Sequence, residues 1–251
     1  MYKPGLVSVT LRKLSPKELL ALMARTTLRA IEWGGDVHVP DVQTAVEVRK
    51  MTEASGIEVA SYGSYYHCGE SEDFGTVLKA AVALGAPNIR VWAGDRGSLE
   101  ADAAYRAKVV SDTRMITAMA MSEGLTVAFE FHGGTLTDTT KSTETLLQEA
   151  ATPGLHTYWQ PHVGSRVESN LEAIDLLIPS ISNIHCFEWK MVDGTCVRRP
   201  FEEGRAHWDQ YFQKFYDAGK SGYALLEFVR DDAPEQLIDD AAALCAVLEA
   251  K

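Results

Sequence analysis

From one end of the chain to the other, short apolar and β-branched runs alternate with longer amphipathic runs, the pattern of repeated βα units feeding a parallel sheet. Eight such units can be counted, with strand candidates at residues 6–11, 28–33, 57–62, 88–92, 125–131, 156–160, 183–187 and 223–229. Eight parallel strands in 251 residues predict a closed (β/α)8 TIM barrel, since an open doubly wound sheet usually stops at about five or six strands. No Pro/Gly/Ser-rich linker or charge run breaks the rhythm, so a single domain over residues 1–251 is expected.

Helix punctuation recurs at the same spacing. Ser15-Pro16-Lys17-Glu18 reads as a cap residue, a proline at the first helical position and a carboxylate in the first turn, and Asp41 reads as a second cap. Gly85 and Gly219 fall where helical patterns end and strands begin.

Composition narrows the function classes. With 46% hydrophobic and 24% charged residues the chain is neither a disordered polymer nor a membrane protein. A net charge of -11 repels phosphate backbones, which argues against nucleic acid as a partner. No apolar run approaches the roughly 18 residues of a membrane span, and the first residues lack the apolar core of a signal peptide. A cytoplasmic protein without a membrane partner is expected. Cys68, Cys186, Cys196 and Cys245 form no CxxC pair and read as reduced, buried thiols.

In a barrel, chemistry belongs at the C-terminal ends of the strands, and side-chain parity predicts which residues point inward. In the fifth strand Leu125, Val127, Phe129 and Phe131 form an outer apolar face, which turns Glu130 and His132 inward. In the eighth, Ala224, Leu226 and Phe228 face outward and Glu227 inward. In the sixth and seventh, Tyr158, Gln160 and His162, and Asn183, His185, Phe187 and Trp189, share the inner faces; Glu32 follows the same rule in the second.

Carboxylates, an amide and an imidazole converging in a barrel mouth are costly unless a cation offsets their burial. Glu130, Gln160, His185 and Glu227 are therefore the candidate ligands of a divalent metal, and their oxygen and nitrogen donors suit Mn²⁺, Mg²⁺, Co²⁺ or Zn²⁺. The competing structural reading pairs an inward glutamate with Arg90. His67, Trp33, Trp92 and Trp189 near strand ends, and Arg198 and Arg199 after the seventh strand, are candidates for shaping a substrate pocket, the arginines by gripping a carboxylate or phosphate.

These residues, in this order, resemble the xylose isomerase-like barrels, the superfamily of sugar isomerases and epimerases that also includes inosose dehydratases and endonuclease IV. The resemblance spans nearly the whole chain. The superfamily's Glu-x-His at the end of strand five matches Glu130-Phe131-His132; its His at strand seven and Glu at strand eight match His185 and Glu227. The departure is Tyr158-Trp159-Gln160-Pro161-His162, where the family usually places Asp followed three residues later by His. Either Gln160 is a ligand, or His162 fills the position. Two carboxylates and a divalent ion sum to zero charge, which favours an anionic substrate form.

The resemblance implies a metal-dependent isomerase or epimerase, with Mn²⁺ the first expectation, acting on a small sugar through an enediolate. Glu130 and Glu227 would then be acid and base on opposite faces of the substrate, with His132, His162, His67, Trp33, Trp189 and Arg199 around it. The alternative is a lyase or dehydratase of the same fold, in which the enediolate expels a leaving group. Family members often pair, so a homo-oligomer is compatible with this reading.

Overall fold

The computed structural model describes residues 1–71, 73–162 and 164–250. Eight parallel strands close on themselves: β1 (Tyr2–Val7), β2 (Ala30–Gly34), β3 (Glu58–His67), β4 (Asn88–Trp92), β5 (Thr126–Phe129), β6 (Leu155–Trp159), β7 (Ile181–Cys186) and, after an inserted hairpin, β10 (Gly222–Leu226). β10 pairs with β1 from Tyr2↔Gly222 to Leu6↔Leu226, which seals the barrel. Helices α1 (Pro16–Met23), α2 (Val42–Ala54), α3 (Phe74–Leu84), α4 (Ala103–Ser122), α5 (Thr140–Glu149), α6 (Val167–Leu177), α7 (Arg205–Asp217) and α8 (Pro234–Glu249) form the outer layer. The expected fold is observed.

Local signals explain the punctuation. The Ser15 hydroxyl accepts from Glu18 N while the Glu18 carboxylate accepts from Ser15 N, closing a capping box on α1. Asp41 accepts from Thr44 N at the start of α2, and Gly85 ends α3 with φ 75°, a conformation that costs glycine least. Ser15→Ala should lower unfolding free energy by about 1 kcal/mol, read from denaturant melts. An unchanged midpoint would mean that water replaces the cap.

Several strand boundaries differ from the sequence reading: β3 runs on to His67, while β5 stops at Phe129 and β10 at Leu226. The first strand is Tyr2–Val7 rather than 6–11, because Ser8–Leu11 turns into a short 3-10 helix at the barrel mouth. The segment after β7, expected to be a loop, is an antiparallel hairpin of β8 (Glu188–Val192) and β9 (Thr195–Arg199). Asp193 and Gly194 both have positive φ, 49° and 78°, and make the two-residue turn whose twist suits such a hairpin.

Inside the barrel the parity holds. Val7, Ala30, Ala60, Ala128, Tyr158 and Leu225 form an inner apolar layer, separate from the larger core between strands and helices. Small residues at three of these positions leave room for the polar layer above. Of the cysteines, Cys68, Cys186 and Cys245 are buried as expected, but Cys196 is exposed, since it lies on the solvent side of the inserted hairpin. Among the described residues, no helix is long and apolar enough to cross a membrane.

Candidate active site and metal centre

One step beyond the apolar layer, the same inward parity carries Glu32, Arg90, Glu130, Gln160, His185 and Glu227 to the C-terminal end of the barrel. Glu130 and Glu227 follow the last residues of β5 and β10, yet Glu130 N donates to Val91 O and Glu227 N to Cys186 O, both at 2.9 Å. The ladder thus runs one residue further and keeps both side chains inward.

Glu130, His185 and Glu227 offer ligand atoms within 4.8 Å of one another, and all three residues are buried. His185 Nδ1 is the focus: Glu227 Oε2 and Gln160 Oε1 each lie 3.2 Å away, and Glu130 Oε1 lies 4.0 Å away. Nδ1 therefore faces three oxygens at once, to which it donates when it carries the ring's hydrogen and with which it shares a cation when it does not. Glu227 Oε2, although close, is buried with no hydrogen bond. Ligands about 2.1 Å from a common ion stand roughly 3–4 Å apart, so these separations fit a small divalent cation held by imidazole and carboxylate donors.

The charge balance points the same way. Glu32, Glu130 and Glu227 are buried against one buried guanidinium, Arg90, which leaves two negative charges when His185 is neutral. Arg90 Nε donates to Glu32 Oε1 at 2.8 Å, its Nη1 donates to Glu130 Oε2, and Trp92 Nε1 donates to the same Glu130 oxygen at 2.5 Å. Burial penalises the charged form of Glu32, but Arg90 and His185 outweigh it and hold the carboxyl below its ordinary range. Burial likewise opposes charge on His185, yet Glu227 and Glu32 push it up to about 10. A site that draws a proton onto an imidazole this strongly lacks positive charge.

Above these residues opens a cavity of about 800 Å³. Of the sequence candidates, Glu130, Gln160, Glu227, His132, His162, Trp92, Trp189 and Arg198 line it. His132 stacks on Trp92 at 4.4 Å and its Nδ1 lies 2.6 Å from the Gly133 carbonyl. His162 packs 4.3 Å from Phe131, and burial, only partly countered by Asp138, lowers its pKa.

Four candidates do not line the cavity: His185, which lies fully buried beneath it at the centre of the cluster, and three others. Trp33 is fully buried in the outer core with Nε1 donating to Thr52 Oγ1 at 3.2 Å: the parity that turns Glu32 inward turns its neighbour outward. His67 sits behind Trp92, its Nδ1 3.1 Å from the Gly94 carbonyl. Arg199 pairs with Glu203 at 2.8 Å, because alternation along β9 sends Arg198, not Arg199, to the mouth.

Other lining residues escaped the sequence reading. Phe131 and Phe228, assigned to the outer face, both line the cavity, since strand alternation ends before them. Phe228 has φ 54°, and with Asp231 and Asp232 it gives the loop after β10 three non-glycine residues in the left-handed region. Trp189 packs 4.9 Å from Phe228, and Arg198 lies 5.0 Å over the same ring while pairing with Asp232 at 2.5 Å. Across the mouth, Arg12 reaches Tyr65 Oη at 3.2 Å and pairs with Asp36. Arg90, anticipated only as a structural partner of a glutamate, is that partner and also lines the cavity.

Residues 20–247 match the sequence profile of the xylose isomerase-like TIM barrel family. A curated relative, the 3-dehydroshikimate dehydratase of Bacillus anthracis, is 24% identical over 231 residues, 82% of each chain. Among solved structures, the probable 3-DHS dehydratase involved in petrobactin synthesis from Bacillus anthracis superposes with a TM-score of 0.76 at 20% identity over 98% of both chains. The IOLI protein with a bound zinc atom gives 0.73 at 13% identity, covering 99% of this chain and 98% of that one. A D-psicose 3-epimerase in the presence of D-fructose gives 0.70 at 16% identity, covering 97% of each. At these identities the structural likeness establishes the fold.

Proposed function

Because the chain belongs to the xylose isomerase-like TIM barrel family, we propose that it is a divalent-metal-dependent enzyme that removes the proton beside the carbonyl of a small hydroxylated substrate and then expels a hydroxyl as water. The observation that carries this reading is the asymmetry between its two carboxylates. Arg90 and Trp92 both donate to Glu130 Oε2, whereas Glu227 Oε2 is buried without a hydrogen bond. One Glu130 oxygen is thus occupied by two donors, while Glu227 keeps an oxygen with no donor on it and open to accept a proton from the substrate.

Glu130, His185 and Glu227 would hold the metal ion, with Gln160 Oε1 within reach of the same centre. When bound, the ion supplies Lewis-acid stabilisation of the negative charge that develops on the substrate oxygens. The Glu227 carboxylate takes the proton as the C–H bond breaks, and the electron pair moves into the enediolate. Collapse of the enediolate breaks the C–O bond at the next carbon, and the hydroxyl leaves as water with a proton from His132 or His162, both on the cavity wall. Arg90, on the cavity wall, stabilises the negative charge that develops there. Arg12 and Arg198 at the mouth suit a substrate that carries a carboxylate. The sequence relative's substrate, 3-dehydroshikimate, belongs to that class.

Epimerisation of a keto-sugar is the second reading, and a second carboxylate, Glu130, lining the cavity beside the metal cluster favours it, since epimerisation needs two proton-transfer groups. One experiment separates them. The Mn²⁺-loaded protein is incubated in deuterium oxide with 3-dehydroshikimate and, separately, with ketoses. Elimination predicts a product one water lighter from the first; epimerisation predicts carbon-bound deuterium in an otherwise intact ketose. Neither outcome in any arm rejects both.

A further inference from the structure

Glu32, at the middle of β2, points into the barrel, is fully buried, and does not line the cavity. A carboxylate so placed destabilises the fold unless its neighbours compensate it. Those neighbours are the site itself. Oε1 accepts from Arg90 Nε at 2.8 Å and lies 3.7 Å from His185 Nε2, while Oε2 accepts from Ser61 Oγ at 2.6 Å. The gap to Nε2 is too long for a hydrogen bond, and Nε2 is buried with no other partner.

The surroundings are shaped around this carboxylate. A Cβ at Gly63 would stand 2.7 Å from Glu32 Oε1 and 2.9 Å from Arg90 Nη2, so the absence of a side chain there makes room for the ion pair. On the barrel's inner side the buried Tyr158 ring meets His185 edge-on at 5.1 Å, which leaves the imidazole little freedom to rotate. The ring therefore presents Nδ1 to Glu130 and Glu227 and Nε2 to Glu32.

We propose that Glu32 is a positioning residue for the metal centre: it keeps the His185 proton on Nε2, which leaves Nδ1 free as a ligand, and it anchors Arg90 beside Glu130. The inference rests on the metal-centre reading above. Metal-ligating histidines give their second N–H to a carboxylate or carbonyl, and loss of that partner typically weakens metal binding about 10–100-fold. A carboxylate that served only the fold would have no reason to spend both of its site-facing contacts on Arg90 and His185.

The test is Mn²⁺ affinity by calorimetric titration of the parent, Glu32→Gln and Ser61→Ala, beside denaturant unfolding of each metal-free protein. Glu32→Gln keeps an oxygen for Arg90 and removes the charge that faces His185. The expected result is a folded variant that binds Mn²⁺ about 10–100-fold more weakly than the parent. Ser61→Ala removes one hydrogen bond from Glu32 and should weaken Mn²⁺ by a smaller factor. Parental affinity in folded Glu32→Gln overturns the proposal; if that variant does not fold, parental affinity in Ser61→Ala overturns it. A parent that binds no Mn²⁺ would instead overturn the metal-centre reading itself.

Discussion

Glu227→Gln should lower kcat by about 10²–10⁴-fold on whichever substrate the parent turns over, with the fold intact. The variant keeps the size of a side chain that is only 5% exposed and changes what its oxygen can do. Glu227 Oε2 is the one carboxylate oxygen of the cluster that is buried and unbonded, so an amide there loses both the proton acceptor and a ligand charge. Circular dichroism and steady-state kinetics read the two halves of the prediction separately. A folded variant that retains parental kcat would show that the proton goes elsewhere.

Arg90→Met should cost about 3–5 kcal/mol of unfolding free energy, a loss larger than that from any exposed pair in the molecule. Arg90 is 3% exposed and is shared by Glu32 and Glu130, themselves 0% and 6% exposed. Methionine fills a similar volume but leaves two buried carboxylates facing each other without a cation. By contrast, pairs such as Lys3–Glu58 are well exposed and contribute about 0–1 kcal/mol. Urea melts of the metal-free protein measure the difference. A loss under about 1 kcal/mol would mean that Glu32 and Glu130 shed their charge by protonation rather than by pairing with Arg90.

Much of this site is legible in the chain because strand parity is a steric rule. Ala128 and Glu130, Tyr158 and Gln160, Asn183 and His185, and Leu225 and Glu227 each share an inward face, and alternation along the sequence states as much. Where alternation stops, the reading fails. Phe228 lies beyond β10 with its backbone at φ 54°, and no periodicity predicts that turn of the chain. Trp33 shows the opposite error, in which aromatic character near a strand end outweighed a parity that placed it outward. The Asp193-Gly194 turn signal lay between two alternating runs and marked the hairpin that decides which of two adjacent arginines reaches the mouth. Arg90 was visible as a counter-charge, but that one guanidinium would serve Glu32 and Glu130 together depends on three-dimensional register between β2, β4 and β5.

Gln160 shows why the metal question is decided by geometry and charge together. The family pattern has an acid there, yet the amide oxygen still stands 3.2 Å from His185 Nδ1 and within the same cluster. With Glu32 and Arg90 counted, a divalent ion neutralises the buried cluster when His185 is neutral. An additional carboxylate at position 160 would leave it negative. The substitution thus fits a site that binds a divalent ion and an anionic substrate in turn.

The most direct test is elemental analysis of protein purified without added metal, beside Glu227→Gln, followed by thermal unfolding with and without Mn²⁺. The metal-centre account predicts about one equivalent of a divalent metal in the parent and less in the variant. Metal-stripped parent should also gain about 2.7 kcal/mol of stability when Mn²⁺ is supplied at one hundred times its Kd. No metal in either protein, with no shift on adding Mn²⁺, would contradict it.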